Sequence, residues 1–475
     1  MRLAPPLALA SLLACRSAPT ASPPSLAPLR VSVRGDCCAN GPPPTATIAV
    51  AWFTAREWDA LTREHAAGPL IEMMPRVRTV RAPVGVNRVV AEVTLDGAPT
   101  DAAVVLAVAD TQGRFLDTLL GRGVAGNARG HADVRDRRAA VQLEALAPDP
   151  PRPERCAGDR FELLTLDAPE VRGAVGNPTQ RRLCVRLPVG YAAAPARRYP
   201  VVFVLPGLAG TDATVTGDFP AIADEAGVEA IYVGVDTSTR TGSTYFVDGP
   251  VTGAWASFFF ERAVPAVDAR FRTLARASAR AVMGHSTGGF NAVSLAFRRP
   301  DVLGAVASLS PDALDLARWL RADDGSVEPL WLGWMRVDDA MGGAGQMTSY
   351  GADWSPDASE PRGFAWPADP ATGAWRPAVW ARWLAHSPIT WLDDAEGLAR
   401  ARRLSGRVFL TCGRADEARL FAPTARFADA LTTHGIEHAW APTEGGHLGQ
   451  RRERTVPMIR FLGGVMDRAA DVAAP

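Results

Sequence analysis

The sequence predicts an α/β fold preceded by a smaller β-rich unit, and three observations carry that prediction. The apolar run Ala281-Val282-Met283 meets Gly284-His285-Ser286-Thr287-Gly288-Gly289 and then a helix-like stretch from Phe290 to Phe297, which reads as strand, sharp turn and helix. Further buried-strand runs, Val201 to Leu205, Ala305 to Leu309 and Val408 to Cys412, recur around it with helical or loop segments between them. Before them, residues 77–147 change to short β-like runs separated by Gly, Asp and Pro turns. The 475 residues, 47% of them hydrophobic, suffice for two folded units, and 51 basic against 51 acidic side chains give no electrostatic case for nucleic acid.

The amino terminus reads as an export signal: Met1-Arg2, an apolar run from Leu3 to Leu13, then Ala14-Cys15. Leu12-Leu13-Ala14-Cys15 matches a bacterial lipobox, so residues 1–14 are expected to be a signal peptide and Cys15 the lipidated residue. An ordinary signal peptide cut elsewhere is the competing reading, because Pro5-Pro6 interrupts the run. The expected location is the bacterial cell envelope, outer membrane if Gram-negative, with the membrane contacted through the anchor. No later segment has about twenty unbroken apolar residues. Residues 15–44, rich in Pro, Ala and Ser, are expected to be a tether.

Residues 45–150 are expected to form the β-rich domain, a small β-sandwich in which Arg88 to Leu95, Ala103 to Ala109 and Ala139 to Leu146 are strands; residues 48–76 fit no clear pattern. It either borders the active site, contacts a partner or acts as a spacer. Of the remaining cysteines, Cys156 and Cys184 flank the first hairpin expected in the larger domain (residues 151–466) and are a candidate disulfide, although spacing alone fixes no pairing. Adjacent Cys37-Cys38 lack histidines at ligand spacing, so no metal site is expected, and Cys412 reads as core.

Within the larger domain, Val201 to Leu205 followed by Pro206-Gly207-Leu208-Ala209-Gly210 supplies a turn whose Leu208 N–H is a candidate oxyanion donor. The segment from Gly242 to Trp255 offers Tyr245 and Trp255 as candidate substrate contacts. In Gly284-His285-Ser286-Thr287-Gly288 the G-x-S-x-G spacing has a steric reason: the serine sits at a strained backbone position, and flanking glycines let strand and helix pass closely. The bland alternative is a glycine-rich turn whose serine caps the helix. Thr287 N–H is the second oxyanion candidate.

A long segment, residues 312–400, follows Ala305 to Leu309 and holds nine of the thirteen tryptophans. It is expected to form a lid or wall over Ser286, its tryptophans either lining a groove or packing a small core of their own. After the strand ending at Cys412, the turn Gly413-Arg414-Ala415-Asp416 supplies Asp416 as the acid, with Glu417 and Asp312 as rivals. His447, in the loop Glu444-Gly445-Gly446-His447, is the candidate base. A serine hydroxyl is a weak nucleophile at neutral pH; His447 would take and return its proton while Asp416 fixes the imidazole tautomer. Serine, acid, histidine is the chain order of an α/β-hydrolase fold.

At these residues the chain resembles the esterase family of α/β-hydrolases that includes S-formylglutathione hydrolase, enterochelin esterase, feruloyl esterases and mycobacterial mycolyltransferases. Arg182-Leu183-Cys184-Val185-Arg186-Leu187-Pro188-Val189-Gly190-Tyr191 with Tyr199-Pro200-Val201 is similar to the family's opening, and Phe258 to Arg272 to the helix before its elbow. Gly413 to Asp416 and Gly445-Gly446-His447 are similar to its acid and histidine segments. Pro206-Gly207 departs from the His-Gly of many relatives. The resemblance spans roughly residues 156–465 and implies serine-ester chemistry without a cofactor, on a small-molecule or polysaccharide-linked ester. It leaves open an acyltransferase using the same acyl-enzyme, and an inactive surface binding protein on the same fold.

Overall fold

The computed structural model describes residues 27–36, 45–63, 68–85, 88–110, 127–146 and 156–471. The proposed signal peptide, Cys15, Cys37, Cys38 and most of the expected tether lie outside the described residues. Among the described residues no helix is long and apolar enough to cross a membrane.

The amino-terminal unit is a closed barrel, not a sandwich. Its strands are β1 (Leu29–Asp36), β2 (Thr45–Thr54), β3 (Arg78–Gly85), β4 (Arg88–Leu95), β5 (Ala102–Asp110), β6 (Ala128–Asp133) and β7 (Arg138–Ala145), in the order β1-β4-β3-β2-β5-β6-β7. Closure is made by β1, which pairs parallel with β7 from Arg30 opposite Arg138 onward and antiparallel with β4. Residues 29–36 are therefore a barrel strand, correcting their assignment to a tether. The physical reason is their alternation: Leu29, Val31 and Val33 are buried inside the barrel with Ile48, Val89, Val105 and Val141. Residues 48–76, unplaced from sequence, are most of β2 followed by α1 (Ala55–Thr62), α2 (Gly68–Glu72) and a 3₁₀ turn, Met74–Arg76. Thr54 caps α1 in a reciprocal capping box with Glu57.

The larger unit is built on an eight-stranded sheet. In chain order its strands are β8 (Phe161–Asp167), β9 (Gln180–Arg186), β10 (Val201–Leu205), β11 (Ile231–Val235) and, after two minimal hairpins made by β12 (Ser238–Thr239), β13 (Gly242–Ser243), β14 (Asp248–Gly249) and β15 (Gly253–Ala254), β16 (Arg280–His285), β17 (Ala305–Leu309), β18 (Val408–Thr411) and β19 (Ala439–Trp440). They lie as β19-β18-β17-β16-β10-β11-β9-β8, with β9 antiparallel to both its neighbours and β10, β11 and β16 to β19 mutually parallel. Counted along the sheet from β8, this is the order 1-2-4-3-5-6-7-8. The central strands are buried along almost their whole length, as parallel strands covered on both faces require.

One face packs on α3 (Phe219–Ala226) and the carboxyl-terminal helix Arg451–Asp471, whose Val456, Ile459 and Leu462 meet Val202, Val204, Ala281 and Met283. The other packs on the helix Thr287–Arg298, through Phe290 and Val293 against Phe203, Val282 and Val306. Cys156 is bonded to Cys184 of β9. The barrel joins this second core directly: Phe53, Leu70, Met73, Met74 and Leu106 belong to the same contiguous apolar cluster as the sheet.

Candidate active site

Ser286, Asp312, Asp416 and His447 each follow the carboxyl end of a parallel strand, where an open α/β sheet presents its ligand site. The elbow comes first. Ser286 follows β16 with φ 57° and ψ −126°, a conformation a side chain seldom adopts, and opens the helix Thr287–Arg298. Its glycines are needed for close approach: a Cβ at residue 288 would lie 2.1 Å from the Leu205 carbonyl oxygen, and one at residue 284 would lie 2.3 Å from the Gly288 carbonyl. Ser286 N–H donates to the Leu309 carbonyl at 3.0 Å, so β17 braces the turn from the far side. No hydrogen bond joins the serine hydroxyl to its own helix, so the helix-capping alternative does not apply.

His447 Nε2 lies 3.0 Å from Ser286 Oγ, and its Nδ1 lies 2.9 Å from Asp416 Oδ2. The other Asp416 oxygen accepts the Ala418 N–H at 3.0 Å. Burial opposes charge on Asp416, but the hydrogen bond from His447 and its charge outweigh burial and hold the carboxyl below its ordinary value. Burial likewise opposes the His447 imidazolium; the Asp416 hydrogen bond and the charges of Asp416, Asp312 and Glu417 outweigh it, and the pKa rises above 6.5. Glu417, a rival acid from sequence, does not touch the ring. It accepts the His447 backbone N–H at 2.6 Å and so holds the loop.

The second rival, Asp312, meets the serine from another side. Its Oδ1 accepts Ser286 Oγ at 3.3 Å, while Oδ2 accepts Tyr245 Oη, Thr287 Oγ1 and Gln346 Nε2, each at 2.8 Å. Of this group Asp312, Tyr245 and Thr287 were candidates in the sequence, Thr287 for its N–H and not its hydroxyl; Gln346, on the insertion helix Gln346–Trp354, carried no local signal.

Two sequence expectations are corrected here. Tyr245 and Trp255 are not at the rim: both side chains are fully buried. Tyr245 is stacked on Tyr350 and reaches the site only through Asp312, and Trp255 donates to the Thr252 carbonyl beneath the Arg181 guanidinium. A side chain without exposed surface offers substrate nothing to touch. The tryptophans of the insertion also pack inward. Seven of the nine, Trp319, Trp331, Trp334, Trp354, Trp366, Trp380 and Trp383, are buried, and Trp375 and Trp391 are half-buried.

Among the described residues the Leu208 and Thr287 N–H groups have no protein partner. Gly207 lies against Ser286, where a Cβ at residue 207 would be 3.5 Å from the serine Cβ. A cavity of about 380 Å³ opens at Gly207 and His447, walled by Val204, Phe219, Met283, Leu309 and Met458 and also by Thr214, His285, Arg451 and Thr455. His285 Nε2–H donates to the His447 carbonyl at 3.0 Å, and burial pushes its pKa down to about 3, so this imidazole is uncharged.

Residues 177–448 match the family described as "Putative esterase", and the chain belongs to that family. Esterase Rv1288 of Mycobacterium tuberculosis is 26% identical over 282 residues, covering 56% of this chain; the chain spans about half (52%) of that relative's length. Among solved structures it is similar to a ferulic acid esterase (18% identity, 64% of this chain and 98% of that one, TM-score 0.44). It is also similar to S-formylglutathione hydrolase FrmB from Staphylococcus aureus (14% identity, 64% and 98%, TM-score 0.41).

Proposed function

We propose that the chain is a serine carboxylic-ester hydrolase working through an acyl-enzyme, and the line Asp416–His447–Ser286 on a strained elbow carries the proposal. Ser286 Oγ attacks the ester carbonyl as its proton passes to His447 Nε2. Leu208 and Thr287 N–H groups hold the oxyanion, and the imidazolium returns the proton to the leaving alcohol. Water, deprotonated by the same nitrogen, then releases the acid. No residue of this scheme requires a cofactor.

Strain at Ser286 disfavours the inactive binding reading, since a φ of 57° on a non-glycine residue costs about 1–3 kcal/mol and has no use without the nucleophile. The cavity against His447 and Gly207, walled mainly by apolar side chains with Arg451 in its lining, favours an apolar group on the ester. At about 380 Å³ it is more than twice the ~150 Å³ cavity that holds benzene. We extend the proposal to location: Cys15 is lipidated and anchors the enzyme to the cell envelope. Detergent phase partition of the full chain and of Cys15→Ser tests that part, and equal partition of both would end it.

The central test is hydrolysis of a p-nitrophenyl acyl series by the full chain beside Ser286→Ala. Loss of about six orders of magnitude in kcat is expected for the variant, with kcat/KM rising from acetyl toward longer chains. Equal rates for the two proteins would overturn the proposal; product formed preferentially on an added alcohol would convert it to acyl transfer.

A further inference from the structure

We propose that Asp312 is a second carboxylate of the catalytic machinery: it accepts the Ser286 hydroxyl whenever His447 is protonated, and so sets the pH at which the nucleophile is handed to its base. The inference rests on the triad reading above and adds a residue that reading does not use.

A serine hydroxyl has one proton, and here it faces two acceptors, His447 Nε2 at 3.0 Å and Asp312 Oδ1 at 3.3 Å. Neutral His447 keeps its proton on Nδ1 toward Asp416, and Nε2 accepts the hydroxyl. Protonated His447 donates from both nitrogens. Nε2–H then points at Oγ, and the hydroxyl proton turns to Asp312. The line Asp416, His447, Ser286, Asp312 is thereby fully satisfied in the protonated state; without Asp312 that half-buried hydroxyl would have no protein acceptor.

The carboxylate is built for this role. Asp312 is 3% exposed, and three donors occupy Oδ2 while leaving Oδ1 to the serine. Its own N–H donates to the Ser286 carbonyl at 3.1 Å, fixing it to the elbow. Proton accounting is unchanged by its presence: the Ser286 proton goes to His447 Nε2 during attack and from there to the leaving oxygen, and Asp312 takes none. Its negative charge instead favours the imidazolium, in the direction of the raised His447 pKa.

The other groups facing this pair are Asp416 and Glu417 from the loop after β18, His285 at the end of β16, and Arg454 of the carboxyl-terminal helix, which donates to the Gly446 and Gly449 carbonyls. Behind Asp312 stand Tyr245 and Tyr350, and Asp353, which accepts the Tyr245 N–H and whose pKa burial lifts to about 7. Because the Asp353 pKa is also raised, an activity profile alone does not isolate His447, which must be read directly.

Histidine NMR titration of the full chain does so, with seven histidines to resolve and His447 assigned through His447→Gln. Asp312→Asn is isosteric, keeps an oxygen for the three donors, and turns an N–H toward Ser286. The expected result is a His447 pKa above 6.5 in the wild type and lower by about one unit in Asp312→Asn, with the acid limb of fluorophosphonate labelling of Ser286 moving equally. Tyr245→Phe, which removes one donor and concentrates the Asp312 charge, moves the pKa upward by less. A wild-type value at or below 6.5 overturns the proposal without any variant. An unmoved His447 pKa in Asp312→Asn, with labelling slowed equally at all pH, reduces Asp312 to a structural brace. The titration is readable even if no ester is turned over, so it separates this inference from the esterase reading.

Discussion

His447 has to be neutral to take the serine proton, and its surroundings are arranged to delay that state. With a pKa raised above 6.5, kcat/KM falls as pH drops through that value, and the loss is complete well below it. Asp416 stays ionised across the whole range because the paired imidazole holds its carboxyl low. We therefore expect Asp416→Asn to bind ester normally yet lose about four orders of magnitude in kcat, since the amide stabilises the wrong imidazole tautomer. Steady-state kinetics with active serines counted by fluorophosphonate check this; a loss confined to KM would contradict it. Glu417 is the contrasting case, a carboxylate one position along, yet directed at a backbone N–H. Sequence order identified Asp416 but gave no means to separate these neighbours. Only the path of the chain after Gly413, whose missing Cβ lets the Gly445 carbonyl approach to 1.8 Å of where that atom would stand, decides which carboxyl reaches the ring.

Among the elements, the elbow tolerates least. Backbone, not side chain, surrounds Gly288, so the clash a Cβ would make with Leu205 O has no flexible end to yield. Gly288→Ala should cost about 3 kcal/mol by overpacking and displace Ser286, seen as a lower unfolding midpoint together with lost labelling; unchanged labelling would mean that β10 can shift. This element was fully legible, because its chemistry is local: apolar strand, G-x-S-x-G, helix. The insertion was not. Its tryptophans were countable, but whether an indole faces a groove or a neighbour depends on partners far along the chain, such as Trp319 against Trp331 and Trp354 against His386. Gln346 contributes to the site only because its helix is carried back across the sheet edge, 34 residues after Asp312. The barrel was half legible: β4 alternates outward and inward residues in the sequence itself, whereas closure by β1 required recognising a strand within a segment that composition marked as linker.

At the scale of the whole molecule, the barrel shares the core of the eight-stranded sheet. Strands β2 and β5 are buried on both faces, Ile48, Val50 and Val105 inside the barrel and Ala49, Phe53, Leu106 and Val108 outside it, in the cluster that contains the sheet. The contact is close enough that a Cβ on Gly333 of the insertion would stand 2.6 Å from Pro75 N, and one on Gly68 would stand 2.8 Å from Glu417 Cγ. Gly68 therefore backs the carboxylate that holds the His447 loop, which links the barrel to the base through one side chain. The Cys156–Cys184 disulfide, 28 residues apart, ties the entry of the larger unit to β9; replacing both cysteines by alanine should cost about 3–4 kcal/mol on a loop-entropy estimate.

Met74→Asp tests the joint itself, because Met74 is 1% exposed and an unpaired carboxylate there has no partner to offset its desolvation. The wild type should unfold in one calorimetric transition, barrel and sheet sharing a core. The variant should unfold in two, the barrel first, with kcat reduced as the brace on Glu417 loosens. Two transitions with kcat unchanged would show that the barrel stabilises the enzyme without touching its base, and a single unshifted transition would show that the shared core contributes nothing to their coupling.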